Sequence, residues 1–296
     1  MSKNRIITHY DFDGITSAML LAEHYKLNSS NVIFAHPTEA SKGTIVADQN
    51  TIVCDLPYFF NAGEWFDHHF YNFRDDITVD GKREEEKSCA RIIARALDME
   101  ENYFTLLKET DKIDSAGLLL EDVLNPEGYV LLSCIVGSNY KSPEDINFNR
   151  HLLDKLRIND VASALNDNYI GKRISDYQSY MKLVRSYIED SIVSEGNVVV
   201  ADLRSAPIGV RLQSIRYLPF ALNPKLPLGV IMFRSPVDEE ICFDVGYSIF
   251  NRESNVDIGE LMKSVGGGGH RFVGGTKVPA EKAEEVYATI VAGLNQ

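Results

Sequence analysis

Residues 5–25 read Arg5-Ile6-Ile7-Thr8-His9-Tyr10-Asp11-Phe12-Asp13-Gly14-Ile15-Thr16-Ser17-Ala18-Met19-Leu20-Leu21-Ala22-Glu23-His24-Tyr25, and this stretch decides the fold. The short run from Arg5 to Thr8 predicts a strand. Apolar residues at helical spacing over 15–25 predict a helix, and Gly14 permits the turn between the two. His9, Asp11 and Asp13 alternate at the junction, so an extended backbone points all three to one side. In an open α/β sheet, ligands bind in the crevice beyond the carboxyl ends of the strands. Thr16 and Ser17 fall in the first helical turn, where polar groups suit exposed backbone N–H groups.

Outward from this unit, strands are expected at 32–35, 51–54 and 64–66 and a helix at 84–97, the pattern of a parallel sheet flanked by helices. Residues 102–194 turn helical, with a long amphipathic stretch over 174–192. Ser194-Glu195-Gly196-Asn197 reads as a break, after which strands are expected at 198–201, 228–233 and 241–250 and helices at 209–217, 257–265 and 280–294. The expected architecture is α/β: an N-terminal parallel-sheet domain with flanking helices over 1–194, linked by a helix to a smaller α/β C-terminal domain over 195–296. The active site is expected in the cleft.

The 296 residues carry 30 basic and 43 acidic side chains, a net charge of -13. Non-specific duplex binding depends on Lys and Arg neutralising phosphates, so this balance excludes a duplex-coating protein and leaves open an enzyme whose acids are metal ligands. Residues 196–296 hold 10 basic and 11 acidic side chains, so 12 of the 13 excess negative charges belong to the first domain. The nearly neutral second domain is better suited to meeting an anionic substrate. Cys54, Cys89, Cys134 and Cys242 lie far apart with no C-x-x-C pair, which excludes a disulfide framework and a thiolate zinc site. No G-x-S-x-G elbow occurs and no cysteine neighbours a partner histidine, so covalent acyl chemistry is unsupported. No stretch approaches the roughly eighteen apolar residues of a spanning helix and the start has no signal-peptide core, so no membrane association and a cytoplasmic location are expected.

Two further strand ends repeat the first: Val53-Cys54-Asp55 and Trp65-Phe66-Asp67-His68-His69. Imidazole and carboxylate without thiolate favour oxygen-rich Mn(II) or Mg(II) sites over structural zinc. The surplus of carboxylates suggests two ions sharing a bridging aspartate, an arrangement that activates water and clamps a phosphoryl group. Phosphoester hydrolysis is the natural chemistry. Glu109-Thr110-Asp111-Lys112-Ile113-Asp114 offers one more carboxylate: Asp111 completes a metal shell while Asp114 starts or caps a turn, though the sequence barely separates them.

A second cluster is Gly266-Gly267-Gly268-Gly269-His270-Arg271-Phe272-Val273-Gly274-Gly275. It follows a helix, lacks G-K-[ST] and does not fit G-x-G-x-x-G, so neither a Walker nor a Rossmann loop is indicated. Consecutive glycines suit close backbone approach or positive φ. With His270 and Arg271 beside them they suit a terminal phosphate or an oligonucleotide backbone, and Arg252 is a candidate for a bidentate phosphate contact. Tyr10, Phe70 and Tyr71 flank the first cluster and offer π faces to bases. His24, His36 and His151 lie outside both clusters and read as surface or packing residues.

The ordered set His9-x-Asp11-x-Asp13-Gly14, Asp55, Asp67-His68-His69, Asp111 and Gly267-Gly268-Gly269-His270 resembles the Asp-His-His (DHH) phosphoesterase family, in its branch with a glycine-rich C-terminal domain. The resemblance implies two ions, usually Mn(II), with Mg(II) or Co(II) as substitutes. It implies His9, Asp11 and Asp55 on one ion and Asp13, Asp55, His68 and Asp111 on the other. It further implies that Asp67 orients a ligand histidine and His69 sits by the scissile phosphate. Gly267, Gly268, Gly269, His270, Arg271 and Arg252 would then hold the substrate's phosphate. The H-x-D-x-D-G spacing is closer to RecJ-type and nanoRNase members than to inorganic pyrophosphatases. In many members an arginine stands in a Ser-x-Arg strand, whereas Ser248-Ile249-Phe250 has none.

The reading that follows is a Mn(II)-dependent phosphodiesterase or exonuclease that trims short single-stranded oligonucleotides, nanoRNA or dinucleotides, to mononucleotides, without acting on long duplexes. A homodimer is compatible with it. The alternatives are a phosphatase for 3′-phosphoadenosine 5′-phosphate, an exopolyphosphatase and, from another class, a non-catalytic nucleotide-binding regulator.

Overall fold

A computed structural model describes residues 2–206, 209, 212–235 and 238–296. Its first elements are β1 (Arg5–Thr8), α1 (Phe12–His24), β2 (Val32–Phe34), α2 (Glu39–Lys42), β3 (Thr51–Cys54) and β4 (Glu64–Phe66). They build a four-stranded sheet of order β2-β1-β3-β4, parallel throughout. The register pairs Thr8 with Cys54 and Cys54 with Phe66, so three strands end at one level. Ile7, Val53 and Trp65 face Leu56, Phe59 and Ala62 in one apolar cluster. The Trp65 indole N–H donates to the Leu56 carbonyl at 2.8 Å, which satisfies the one polar atom of that ring.

Helices follow: α3 (Cys89–Ala96), α4 (Phe104–Asp114), α5 (Leu120–Leu124), α6 (Gly128–Cys134), α7 (Pro143–Leu156), α8 (Val161–Leu165) and α9 (Asn168–Ser191). α3 begins five residues later than the helix expected from residue 84. Ser88 caps it by accepting from the Arg91 N–H, while Glu84 donates its backbone N–H to the Asp67 carbonyl as part of an extended segment.

The remaining elements are β5 (Ile192–Glu195), β6 (Val198–Asp202), α10 (Leu212–Ile215), α11 (Leu218–Leu222), β7 (Leu228–Arg234), β8 (Ile241–Tyr247), α12 (Ile258–Ser264), β9 (Gly268–His270), β10 (Val273–Val278) and α13 (Ala283–Leu294). The break expected at 194–197 is a hairpin turn: β5 pairs antiparallel with β6 across Gly196, whose φ is +64°. Of the helix expected at 209–217, Val210 and Arg211 lie outside the described residues. The strand expected at 241–250 stops at Tyr247.

These strands form a mixed sheet of order β5-β6-β7-β8-β10-β9. Alternation along β7 sends Leu228, Val230 and Met232 toward Ile258, Met262 and Ile290 of α12 and α13, and Ile231 and Phe233 toward Val184 and Ile188 of α9. The chain divides into two compact units. One comprises Met1–Gly117 with Glu127–Ile174, the other Leu118–Pro126 with Ser175–Gln296. The fold is α/β. Among the described residues no helix is long and apolar enough to cross a membrane.

Candidate metal centre

Because β1, β3 and β4 end at one level, the residues that follow them converge within the first unit. Donor atoms of His9, Asp11 and Asp55 lie within 4.8 Å of one another, and so do those of Asp13, His68 and Asp114 and those of Asp55, His68 and His69. Asp55 and His68 each belong to two of the three groups.

Local structure fixes each side chain. Asp11 caps α1 by accepting from the Gly14 N–H at 2.8 Å, and its other oxygen lies 2.7 Å from His9 Nδ1. A Cβ on Gly14 would stand 2.3 Å from the His9 carbonyl oxygen, so only glycine lets the strand turn this tightly into the helix. Asp13 is buried and accepts from the N–H groups of Cys89 and Ala90 at 2.7 and 2.9 Å, which binds it to the start of α3. Asp55 has φ +55°, a left-handed conformation that aspartate tolerates better than most residues, and it lies buried directly after β3. His68 places Nδ1 3.0 Å from the Glu86 carbonyl and turns Nε2 toward Asp55 and Asp114, each at 3.4 Å, and Asp13 at 3.8 Å.

Of the two histidines, it is His69 that Asp67 holds. Asp67 is fully buried and holds His69, through Nδ1 at 2.9 Å and the backbone N–H at 3.2 Å, while Asn72 donates to its second oxygen at 2.7 Å. The Glu86 carbonyl orients His68 instead. Asp111 does not join the cluster. Its carboxylate is taken up by Ser88 at 2.6 Å and by Arg91 at 2.7 and 3.0 Å. Asp114, one turn later on α4, faces His68. Sequence reasoning misses Ser88, Arg91, Glu86 and Asn72. The one signal for any of them is Ser88 as a helix cap.

Packing so many acids together leaves an electrostatic imprint. Burial alone would raise Asp11, but His9 and the Gly14 N–H outweigh it and hold this carboxyl well below the usual range. Burial pushes Asp13 up to about 6 against the pull of His68. Burial, with Asp11, Asp13 and Asp114 around it, drives Asp55 well above the ordinary carboxylate value, and Asp114 is raised by burial and by Asp13 and Asp11. Burial would lower His9, yet Asp11 and Asp13 raise it. Asp55 Oδ2 and His68 Nε2 are buried without a hydrogen-bond partner. Orphaned atoms of this kind, set among carboxylates that resist ionisation, fit divalent cations.

The glycine-rich run belongs to the second unit. Gly268–His270 is a strand, β9, paired with β10, and Gly268 to Phe272 are exposed. Gly269 has φ +157°, and a Cβ there would stand 2.4 Å from Gly274 Cα. Close approach of two backbones therefore accounts for this glycine, where the sequence suggests approach to a ligand. Arg271 lies over Phe272 at 5.8 Å, and Arg252 is exposed in the segment between β8 and α12.

No protein-family profile and no curated protein matches the sequence. Among solved structures, the chain is similar to the pGpG-specific phosphodiesterase PggH from Vibrio cholerae, at 26% identity and a TM-score of 0.84, covering 99% of both chains. It is similar in fold to an exopolyphosphatase-related protein from Bacteroides fragilis, with 14% identity, a TM-score of 0.54 and coverage of 98% of this chain and 92% of that one. RecJ from Thermus thermophilus in complex with Mn2+ matches at 13% identity and a TM-score of 0.55, over 97% of this chain and 51% of its own.

Proposed function

We propose that the chain is a member of the Asp-His-His phosphoesterase family and, within it, a metal-dependent phosphodiesterase cleaving short oligonucleotides, dinucleotides foremost, to mononucleotides. One observation carries the metal assignment: buried, unpartnered Asp55 Oδ2 and His68 Nε2 within a set of imidazoles and carboxylates at three aligned strand ends. His9, Asp11 and Asp55 would hold one ion. Asp13, His68 and Asp114, with Asp55 between the sets, would hold a second, so Asp114 takes the place expected for Asp111. Mn(II) is the proposed ion, with Mg(II) as a substitute, on the strength of the sequence motif.

Bound divalent ions lower the pKa of water and offset charge on phosphoryl oxygens. The chain's own residues do the rest. Asp67 fixes His69 by Nδ1 and leaves Nε2 as the hydrogen-bonding face toward substrate, a role for His69 beside the scissile phosphate. Asp13, tied to α3, and His68, tied to the Glu86 carbonyl, are positioned before any ligand arrives, which reduces reorganisation during reaction. Gly267, Gly268, Gly269, His270, Arg271 and Arg252 are assigned to the substrate's phosphate on the strength of the sequence motif.

The dinucleotide preference rests on the likeness to PggH over the whole length of both chains. The test is to incubate the purified chain with Mn(II) and a panel of linear dinucleotides, short RNA and DNA, cyclic dinucleotides, 3′-phosphoadenosine 5′-phosphate and polyphosphate. Dinucleotides should be turned over fastest, and His68→Ala should abolish the activity. Preferential release of phosphate from polyphosphate would overturn the substrate assignment, and full activity in His68→Ala the metal assignment.

A further inference from the structure

Beside the metal centre lies a group of rings that the hydrolytic chemistry does not use. Tyr10, between His9 and Asp11 in sequence, stands 5.5 Å from Tyr140 with an interplanar angle of 14°, and 6.4 Å from His36 at 27°. His36 and Tyr140 are themselves 6.2 Å apart. Three segments distant in sequence thus bring their rings together, yet all three rings remain partly exposed.

The group is anchored rather than loose. The Tyr140 hydroxyl donates to Glu39 Oε1 at 2.7 Å, and Glu39 is buried and also accepts from Thr44 and Lys42. The Lys141 ammonium lies 5.3 Å over the Tyr140 ring. On the other side, the Tyr10 ring is 4.6 Å from the His9 ring. Pre-set aromatic rings beside a candidate metal ligand, with a cation over one of them, match a nucleobase whose phosphate lies at the metals.

A second aromatic face adjoins the opposite motif. Phe70 and Tyr71 are 66% and 61% exposed, and the Tyr71 ring lies 5.3 Å from that of His69. Resting on the phosphodiesterase reading, we infer that Tyr10 and Tyr140, with His36, form a stacking platform for one base of the substrate, and that Tyr71 with Phe70 takes the base across the scissile phosphate. The preferred substrate then carries a base on each side of the cleaved bond.

A non-cleavable dinucleotide with a methylene-bridged phosphonate linkage and 2-aminopurine as a base tests this on the Mn(II)-loaded full chain. Stacking quenches 2-aminopurine fluorescence, so the wild type should bind with quenching. Tyr140→Leu and Tyr10→Leu should bind about fivefold to 150-fold more weakly and lose the quenching. Thermal melting identifies any variant that fails to fold, and the remaining variants then decide. Wild-type affinity and quenching in a folded leucine variant would overturn the platform alone. A wild type that binds no dinucleotide would overturn the phosphodiesterase reading itself, and the platform with it.

Discussion

Replacing Asp13 with asparagine isolates the cost of burying a carboxylate among others. In the unfolded chain this group ionises near 3.8, whereas burial, supplemented by Asp11, pushes it up to about 6 in the folded protein despite His68. The difference of roughly two units is worth about 3 kcal/mol. Between these values the folded chain keeps a proton that the unfolded chain has released. The stability of the metal-free protein is therefore undiminished by this group below about pH 4 and falls by about 3 kcal/mol as pH rises past about 6. An asparagine side chain does not titrate. It would leave the N–H of Cys89 or Ala90 without its acceptor, a penalty of about 1–3 kcal/mol that does not change with pH. Urea unfolding of both proteins in EDTA, from about pH 4 to about pH 7.5, separates the two contributions. The stability difference should drift by about 3 kcal/mol in favour of Asp13→Asn as pH rises, and Mn(II) should oppose that drift at the upper end of the range by stabilising the wild type, which keeps both proposed ion positions, more than the variant. A difference that stays flat with pH would refute the claim that the centre is self-repelling without cations.

Asp114→Asn should weaken Mn(II) binding about 100-fold in isothermal titration, whereas Asp111→Asn should leave affinity within a few fold and lower stability by about 2 kcal/mol by weakening the hydrogen bonds from Arg91 and Ser88. Asp67→Asn should reduce kcat about 10- to 100-fold with Mn(II) affinity retained, because Asp67 holds His69; an unchanged kcat in steady-state assays would remove His69 from the chemistry. Gly14→Ala should lower stability by about 2–4 kcal/mol in urea titrations, since its Cβ meets the His9 carbonyl at 2.3 Å.

Alternating donor side chains after a β-branched run make most of the candidate centre legible in the sequence. His9, Asp11, Asp13, Asp55 and His68 are brought together because parallel strands in register end at one level, and strand ends can be read from local pattern. The choice between Asp111 and Asp114 cannot be read in this way. They stand three apart on one helix and share a side of it, so the outcome depends on Arg91 and Ser88 reaching Asp111 first. β9 is invisible to pattern because Gly268 and Gly269 carry no strand propensity, and only pairing with β10 reveals the strand. β5 is masked by helical periodicity that runs to Ile192, four residues before the glycine that turns the chain.

The grip of Asp13 on the first amides of α3 gives the centre a built-in signal. Both Asp13 oxygens accept from backbone N–H groups, so a cation bound there as proposed would draw electron density away from those two hydrogen bonds. The amide protons of Cys89 and Ala90, 76 and 77 residues away along the chain, thereby become spectroscopic witnesses of occupancy. Their chemical shifts and exchange rates would record filling of the Asp13 position without any substrate present, letting metal loading and turnover be followed as separate events.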